Sequence, residues 1–229
     1  MPHKILVTAH AGCMKTAMDS LESVYAGVAA GADVIEVDVR FAEGEIPVLS
    51  HDPLEPGQDR RPVRLAEVLE YVEGQRGTVL NLDLKETYGL PSLMELLRRT
   101  GMAERVFFTG LEPRAVPEVQ RAAPGIPYLV DYQPEPWLSA NPSYLKILAV
   151  MVKELGALGL NPSYQYVTEP LVDTFHAAGL KVYVWTVNRL VTMNGLIRLG
   201  VDSITTKRVD LLVQALREAG CGGEVDALA

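Results

Sequence analysis

The sequence predicts an α/β protein, a closed (β/α)8 TIM barrel in which eight parallel strands alternate with helices. Short apolar runs alternate with amphipathic segments of helical period along the chain, which favours strands buried on both faces and covered by helices. Three helical segments end in Gly31, Gly179 and Gly200 directly before an apolar run, the usual pattern where a left-handed residue ends a helix. Because 229 residues is the length of one such barrel, we expect residues 1–229 to form a single domain.

The apolar runs place the strands in chain order. We expect them at residues 4–9, 33–39, 78–84, 105–109, 127–131, 157–161, 181–186 and 202–205. The rhythm breaks after the second strand, because residues 40–77 are too long for a simple crossover. Glu43-Gly44-Glu45 separates two extended stretches there, which predicts a small hairpin insertion, and residues 53–62 follow as a polar loop.

Composition narrows the possible partners and location. Hydrophobic residues make up 48% of the chain and charged residues 22%, which is typical of a globular protein. The formal net charge of −8 argues against a nucleic-acid duplex as partner. The apolar run Ile5–Val7 is shorter than a signal-peptide core, and no integral membrane segment is indicated, so we expect a cytoplasmic protein. The spacing of Cys13 and Cys221 is typical of free thiols, and nothing indicates an oligomeric state.

Carboxylates recur with the same parity on two neighbouring strands. Glu36 and Asp38 lie two residues apart, so they share one face of the second strand. Asp83 and Lys85 repeat this arrangement on the third strand. Three carboxylates inside a barrel are costly without a cation, and an all-oxygen set favours Mg²⁺ or Ca²⁺. The structural alternative is that the three acids pair with Lys85 and Arg40.

Two histidines follow apolar runs at the end of the barrel where active sites gather. His10 ends the first strand, and His51 follows the hairpin. Beside a metal site they could act as general base and general acid, although a histidine at a strand end is more often structural. Trp185 and Asn188 fall near the end of the seventh strand, where they could line a ligand site or pack the barrel.

Taken together, these segments resemble the glycerophosphodiester phosphodiesterases. The matching segments, in the order seen in that family, are His10-x-Gly12, Gly31–Val39, Pro47–Asp52, Leu82–Lys85, Val184–Asn188 and Gly200–Thr206. Each motif alone is weak, whereas the ordered set is specific and covers nearly the whole chain.

The resemblance implies a barrel enzyme that hydrolyses small-molecule glycerophosphodiesters to glycerol 3-phosphate and an alcohol. It implies a divalent cation, Mg²⁺ or Ca²⁺, at Glu36, Asp38 and Asp83. In the scheme that it implies, a glycerol hydroxyl attacks phosphorus, a cyclic phosphate forms and water opens it. The residues expected to carry the chemistry are His10 and His51, which exchange protons, and Lys85, which stabilises negative charge. Those expected at the substrate are Trp185, Asn188 and Lys207.

The sequence departs from the family pattern in several places. Ala11 replaces the usual Arg after the first histidine, Asp83 replaces a Glu, and Lys207 replaces a common Asp. Ala17–Ser20 replaces the family's Pro-Glu-Asn-Thr stretch, which predicts the loss of an acidic position near the site. The loop at residues 53–62 is shorter than the usual insertion, which predicts a more open site on the alcohol side.

Three other functions stay open on the sequence alone. A related cyclising phospholipase D-like lyase also uses two histidines with Glu, Asp and Asp, and would release the cyclic phosphate. A barrel that binds but no longer catalyses is suggested by Ala11. An unrelated barrel enzyme, such as a sugar-phosphate isomerase, is the most remote alternative because a fold alone does not fix function.

Overall fold

The computed structural model describes residues 4–55 and 61–221, so residues 56–60 of the polar loop predicted at 53–62 lie outside the described part. The strands are β1 (Leu6–Ala9), β2 (Val34–Ala42), β3 (Ile46–Leu49), β4 (Val79–Leu84), β5 (Val106–Leu111), β6 (Tyr128–Val130), β7 (Gly159–Leu160), β8 (Lys181–Val184) and β9 (Ser203–Thr206). The helices are α1 (Leu21–Ala29), α2 (Leu65–Glu73), α3 (Leu90–Thr100), α4 (Val116–Ala122), α5 (Pro142–Glu154), α6 (Glu169–Ala177), α7 (Leu190–Leu199) and α8 (Val209–Glu218).

Eight of the strands close into a parallel barrel. Neighbouring strands follow the order β1, β2, β4, β5, β6, β7, β8, β9, and β9 pairs with β1 to complete the ring. The predicted fold class is therefore confirmed. The ninth strand, β3, runs antiparallel to β2, with Val39 opposite Leu49 and Ala42 opposite Ile46. This is the predicted hairpin, and its turn at residues 43–45 includes Gly44 at a positive φ of 77°.

The strands β6 and β7 are shorter than predicted. β6 has three residues and β7 has two, where the apolar runs predicted 127–131 and 157–161. Pro127 precedes β6 and Pro162 follows Asn161 just beyond β7. Proline has no N–H to donate to a neighbouring strand, which limits the ladder at these points.

Alternation along the strands separates two apolar clusters. Ile35, Val37 and Val39 of β2 belong to the large cluster that also contains the buried faces of the helices. A second, smaller cluster fills the inside of the barrel, with one residue from each of six strands: Leu6, Val34, Val79, Phe107, Leu129 and Tyr183. The period of two along each strand therefore places the opposite set of side chains inside the ring.

The residues two positions further along these six strands form the next layer inside the barrel. They are Thr8, Glu36, Asn81, Thr109, Asp131 and Trp185. Two positions further still come His10, Asp38 and Asp83. The barrel interior thus changes from apolar to polar toward the carboxyl ends of the strands, the end where β/α barrels carry their active sites.

The helix ends follow the pattern expected from the sequence. Gly31, Gly179 and Gly200 all adopt positive φ, at 85°, 75° and 75°, directly after helices that cover the barrel. Ser20 caps α1, where its side chain accepts a hydrogen bond from the backbone N–H of Ser23. No helix in residues 4–55 and 61–221 is long and apolar enough to cross a membrane. Cys13 and Cys221 are both free, as predicted.

Candidate active site

A cavity of about 370 Å³ opens at the carboxyl ends of the barrel strands. Seven of the nine residues predicted to form the site line it: His10, Glu36, Asp38, His51, Asp83, Lys85 and Trp185. The remaining two, Asn188 and Lys207, lie outside the lining. The fold therefore brings together residues that are up to 175 positions apart in sequence (185 − 10).

Three carboxylates converge on one point of the cavity wall. Asp38 of β2 lies opposite Asp83 of β4 in the parallel register, and Glu36 precedes Asp38 on the same face. One oxygen from each of Glu36, Asp38 and Asp83 lies within 4.8 Å of the other two. Burial, together with the charges of Asp38 and Asp83, raises the pKa of Glu36 well above its usual range. Three negative charges this close repel one another unless a cation lies between them.

Lys85 supplies part of the compensating charge. Its Nζ lies 2.7 Å from Asp38 Oδ1 and also pairs with Asp83. Burial lowers the pKa of Lys85, but the charges of Asp83 and Asp38 outweigh burial and raise the pKa above its ordinary value. The second oxygen of Asp38 is buried and has no hydrogen-bond partner in the described residues. A buried carboxylate oxygen left in this way fits a metal ligand, and the all-oxygen set fits a hard ion.

Neighbouring groups hold the carboxylates in place. The Thr109 hydroxyl of β5 lies 2.9 Å from Asp83 Oδ1 and 2.8 Å from Asn81 Oδ1. The backbone N–H of Ala11 donates to Glu36 Oε2 at 2.7 Å. Gly110 has a positive φ of 76°, and a Cβ there would lie 2.7 Å from Asp83 Oδ1 and 2.5 Å from the Leu84 carbonyl oxygen. Only glycine therefore fits beside Asp83 without displacing it.

His10 is the more enclosed of the two histidines. Its Nδ1 lies 2.8 Å from the Ala11 carbonyl oxygen and 3.8 Å from Glu36 Oε2. A carbonyl oxygen accepts only, so Nδ1 carries the proton in the neutral ring and Nε2 is left as the basic nitrogen. Burial lowers the pKa of His10, against a raising effect of the Ala11 hydrogen bond, and the charge of Lys207 lowers it further. A neutral imidazole with a basic Nε2 is suited to accept a proton.

His51 lies at the more open side of the cavity, in the segment after β3. Its side chain is 54% exposed, and Nδ1 lies 2.9 Å from Asp52 Oδ1. The guanidinium of Arg40 donates to the His51 carbonyl oxygen at 3.1 and 3.2 Å. Arg40 is held in turn by an ion pair with Glu86 at 2.6 Å. These contacts fix the backbone that carries His51, although the ring itself reaches solvent.

Comparison with known proteins agrees with this geometry. The family model described as the glycerophosphoryl diester phosphodiesterase family matches residues 10–92 and 85–211. The chain belongs to this family. Its enzyme class is therefore the one predicted from the sequence, a phosphoric diester hydrolase with glycerophosphodiester phosphodiesterase activity.

Individual relatives cover the chain almost completely. A curated glycerophosphodiester phosphodiesterase from Caldanaerobacter subterraneus subsp. tengcongensis is 25% identical, with 95% of this chain and 100% of the relative aligned. The crystal structure of a glycerophosphodiester phosphodiesterase from Parabacteroides distasonis superposes with a TM-score of 0.77 at 20% identity, covering 95% of this chain and 99% of the other. An Oleispira antarctica phosphodiesterase, solved in complex with its product sn-glycerol-3-phosphate, also gives a TM-score of 0.77 at 20% identity, with coverages of 93% and 96%. At these identities the structural likeness shows the fold alone.

Of the three residues predicted to contact substrate, only one lines the cavity of this phosphodiesterase. Trp185 lines the cavity, and its Nε1–H donates to the Asn161 carbonyl oxygen at 2.9 Å. Asn188 instead accepts the backbone N–H of Lys207 at 2.8 Å through Oδ1, so it holds the segment that follows β9. Lys207 lies outside the cavity lining, but its charge acts on His10.

Asp19 modifies the prediction that this phosphodiesterase lacks an acidic position in the loop before α1. Met18 stands where the family has Glu, but the carboxylate of Asp19, one residue later, accepts the backbone N–H of His51 at 3.1 Å. Its other oxygen, Oδ1, is buried without a hydrogen-bond partner in the described residues. Burial raises the pKa of Asp19, and the charge of Asp38 adds to this effect. The position was visible in the sequence, but its direction depends on a positive φ of 54° that the sequence does not reveal.

Sequence reasoning also missed Asp131 and Asn161, which follow β6 and β7 and line the cavity. Their side chains meet in a hydrogen bond from Asn161 Nδ2 to Asp131 Oδ1 at 2.9 Å. Burial and the charge of Asp83 raise the pKa of Asp131 to about 7. The available signal was a polar residue at the end of an apolar run on two neighbouring strands, but each run was short and carried only one such residue.

Proposed function

We propose that this phosphodiesterase hydrolyses glycerophosphodiesters to glycerol 3-phosphate and an alcohol, with a divalent cation and two histidines, through a cyclic phosphate. The observation that carries the proposal is the meeting of three carboxylates, one lysine and two histidines in a single cavity. The product complex of the Oleispira antarctica relative supports the same substrate class.

Glu36, Asp38 and Asp83 would hold the cation, either Mg²⁺ or Ca²⁺. When bound, the cation supplies positive charge for the phosphate and balances the three carboxylates. The protein contributes the fixed geometry, since Thr109, Gly110 and the Ala11 N–H constrain the ligand carboxylates. Lys85 adds a second positive charge beside the same oxygens, where it would stabilise negative charge on the phosphoryl group in the transition state.

In the first half of the reaction, His10 Nε2 accepts the proton of the glycerol hydroxyl next to the phosphodiester. The hydroxyl oxygen forms a bond to phosphorus, and the bond from phosphorus to the alcohol oxygen breaks. His51 gives that oxygen a proton, so the alcohol leaves neutral and the cyclic phosphate stays behind. The enclosed His10 suits the role of base toward glycerol, and the exposed His51 suits a leaving alcohol that departs toward solvent.

In the second half, the roles of the histidines reverse. Water enters from the open side, His51 accepts its proton and the water oxygen bonds to phosphorus. The bond from phosphorus to the glycerol oxygen that attacked in the first half breaks, and His10 returns the proton to that oxygen. Glycerol 3-phosphate leaves, and both histidines are restored to their starting forms.

The test is turnover of glycerophosphodiesters followed by ³¹P NMR, with Mg²⁺, with Ca²⁺ and after exhaustive chelation. We expect turnover only with a cation, and an open phosphate monoester as the final product. Accumulation of cyclic phosphate as the final product would instead support the lyase alternative. No turnover under any of the three conditions would support a barrel that only binds. Glu95→Gln is a matched control, because Glu95 lies on the surface of α3 and pairs with Arg98.

We propose that residues 1–229 act as one domain, that the substrate is a small molecule and not a nucleic acid, and that the enzyme works in the cytoplasm. The net charge of −8 supports the second of these.

A further inference from the structure

The cavity has a second wall, formed by the ends of β6, β7 and β8. In the order of strands around the barrel, β7 lies four strands from β2 and β8 lies four strands from β4. Asn161 and Trp185 therefore lie across the cavity from the carboxylates, with Asp131 beside them. This wall takes no part in the proton transfers proposed above.

The Asp131–Asn161 pair is held by contacts that do not require a ligand. The backbone N–H of Asp131 donates to the Leu111 carbonyl oxygen at 2.8 Å, and that of Asn161 donates to Val130 at 2.8 Å. The carbonyl oxygen of Asn161 accepts the Trp185 indole N–H at 2.9 Å. Asn161 is only 6% exposed. Because both side chains are anchored through their backbones, the pair presents a fixed arrangement to the cavity.

The pair retains hydrogen-bonding capacity after these contacts. Asn161 Nδ2 has two hydrogens and uses one toward Asp131. Within the described residues, the amide oxygen of Asn161 has no hydrogen-bond partner. This oxygen is not fully buried, so a ligand could reach it. A carboxyl group beside an amide offers acceptors and a donor within reach of one another. Adjacent hydroxyl groups of a polyol present the matching donors and acceptors.

Charge decides which part of a phosphodiester would lie at this wall. A carboxylate repels phosphate, and the field of Asp83 already acts on Asp131. The phosphate belongs on the opposite side, near Lys85 and the proposed cation site. A neutral group rich in hydroxyls is therefore the part of the substrate that suits Asp131 and Asn161.

Burial decides which end of the substrate this is. His51, at the open side of the cavity, is 54% exposed, whereas the Asn161 side of the pair is nearly enclosed. An enclosed wall of fixed shape suits the part common to all glycerophosphodiesters, and the open side suits the alcohol that varies.

We propose that Asp131 and Asn161 recognise the hydroxyl groups of glycerol and so determine the specificity of this phosphodiesterase for the glycerol end of its substrate. The inference rests on the proposed function, since it assumes a glycerophosphodiester in the cavity. The pKa of Asp131, raised by burial to about 7, agrees with this role because the neutral acid donates to a hydroxyl and the carboxylate accepts from one.

The test compares binding of two ligands that differ only in hydroxyl groups. sn-Glycerol 3-phosphate and n-propyl phosphate have the same charge and chain length, and each is titrated calorimetrically into the enzyme with Mg²⁺. We expect wild type to favour glycerol 3-phosphate. We expect Asp131→Ala and Asn161→Ala to weaken its binding about 3- to 100-fold, the range for hydrogen bonds to neutral or charged groups. Binding of n-propyl phosphate should change less than about twofold on the same scale.

Two further variants serve as controls. Asp131→Asn keeps the size of the side chain and one acceptor oxygen, so it should retain part of the preference for glycerol 3-phosphate. Glu135→Ala removes an exposed acid from the same segment and should bind both ligands as wild type does. Normal binding of n-propyl phosphate by each variant also shows that the variant is folded.

Several results would overturn the inference. Equal losses for both ligands in Asp131→Ala would make its role structural or electrostatic, and unchanged preference in both alanine variants would exclude the pair from recognition. A loss of kcat/KM confined to glycerophosphocholine, with glycerophosphoglycerol unaffected, would show that the wall reads a cationic alcohol instead. Failure of the proposed function is a separate result, because wild type would then turn over no glycerophosphodiester, whatever the ligand comparison shows.

Discussion

The two halves of the cavity are built from the same barrel but differ in charge and in strand length. The half formed by β1, β2 and β4 carries His10, the three carboxylates and Lys85, and β2 and β4 have nine and six residues. The half formed by β6, β7 and β8 carries Asp131, Asn161 and Trp185 on strands of three, two and four residues. Charge is concentrated where phosphorus chemistry is proposed, and the opposite half offers hydrogen bonds and an aromatic ring.

This difference predicts how each half responds to change. The carboxylates of the charged half repel one another, so its geometry should depend on Lys85 and a bound cation. The opposite half is fixed by backbone hydrogen bonds and should keep its shape without a cation. Substitutions in the charged half should therefore reduce catalysis most.

The largest effect is expected at the carboxylate cluster. Asp38→Ala removes a buried carboxylate that lies 2.7 Å from Lys85 Nζ and converges with Glu36 and Asp83, and we expect turnover to fall about a thousandfold or more, in line with losing several kcal/mol of charge stabilisation. Asp83→Ala and Glu36→Ala should also weaken cation binding measured by calorimetry. Full turnover by wild type after exhaustive chelation would contradict the cation requirement.

The next largest effect is expected at the histidines. His10→Ala and His51→Ala should each slow turnover by about a hundredfold or more, the usual scale for losing a positioned acid or base. The two losses should not multiply in the double variant, because the proposed mechanism places both residues in one proton-transfer unit. Near-wild-type rates in either single variant would make that histidine structural, and fully multiplicative losses would separate the two roles.

The comparison also explains how far the sequence could predict the site. The charged half was predictable because Glu36, Asp38, Asp83 and Lys85 repeat the same parity on two strands long enough to show it. The fold followed from the same alternation, and the hairpin from a turn at Glu43-Gly44-Glu45.

The other half was not predictable in the same way. β6 and β7 are too short to show a period, so a single Asp or Asn at the end looks like any loop residue. Asp19 was hidden for a different reason, since its carboxylate reaches His51 only through an uncommon backbone conformation. Asn188 follows a barrel strand, where cavity residues are expected, but its side chain accepts a hydrogen bond from the backbone N–H of Lys207.

A smaller effect is expected at Lys207. Its substitution tests whether Lys207 supplies the positive charge that the family's usual Arg provides at the position of Ala11. Neither Lys207 nor Lys15 belongs to the cavity lining, but the charge of Lys207 acts on His10, whereas the side chain of Lys15 is exposed. We expect Lys207→Ala to lower kcat/KM about tenfold, the lower part of the range for a charge-assisted hydrogen bond to phosphate. Lys15→Ala is the matched control and should change little. Equal behaviour of the two variants would exclude Lys207 as the replacement.

Glycerophosphodiesters with small and bulky alcohol groups test the prediction that the site is open on the side of the alcohol. His51 and Asp52 are both exposed there, at 54% and 89% of the side chain. We expect kcat/KM for a bulky alcohol group to stay within about tenfold of that for a small one, since an open wall excludes neither. Strong rejection of the bulky substrate would contradict it.

The smallest effect is expected at Asp19, which touches the charged half only through the backbone of His51. Asp19→Ala removes the acceptor for the His51 N–H, and we expect kcat to fall a few-fold, about the worth of one hydrogen bond. Asp19→Asn keeps an acceptor oxygen and should retain most of kcat.

The same variant, Asp19→Asn, also tests the effect of the Asp19 charge on stability. Burial and the charge of Asp38 raise the pKa of the Asp19 carboxyl, so the folded state binds a proton at Asp19 more readily than the unfolded state does. The ionised carboxylate therefore costs stability above that raised pKa, and the cost shrinks as the pH falls below it and is gone below the pKa of the unfolded chain. For the chelated enzyme we expect Asp19→Asn to raise the Tm near neutral pH, because the variant no longer carries an ionised, partly buried carboxylate. The gain should shrink as the pH approaches 4. A gain that is constant with pH would show that the charge of Asp19 is not its cause, and equal kcat losses in both variants would show that the charge, and not the hydrogen bond, positions His51.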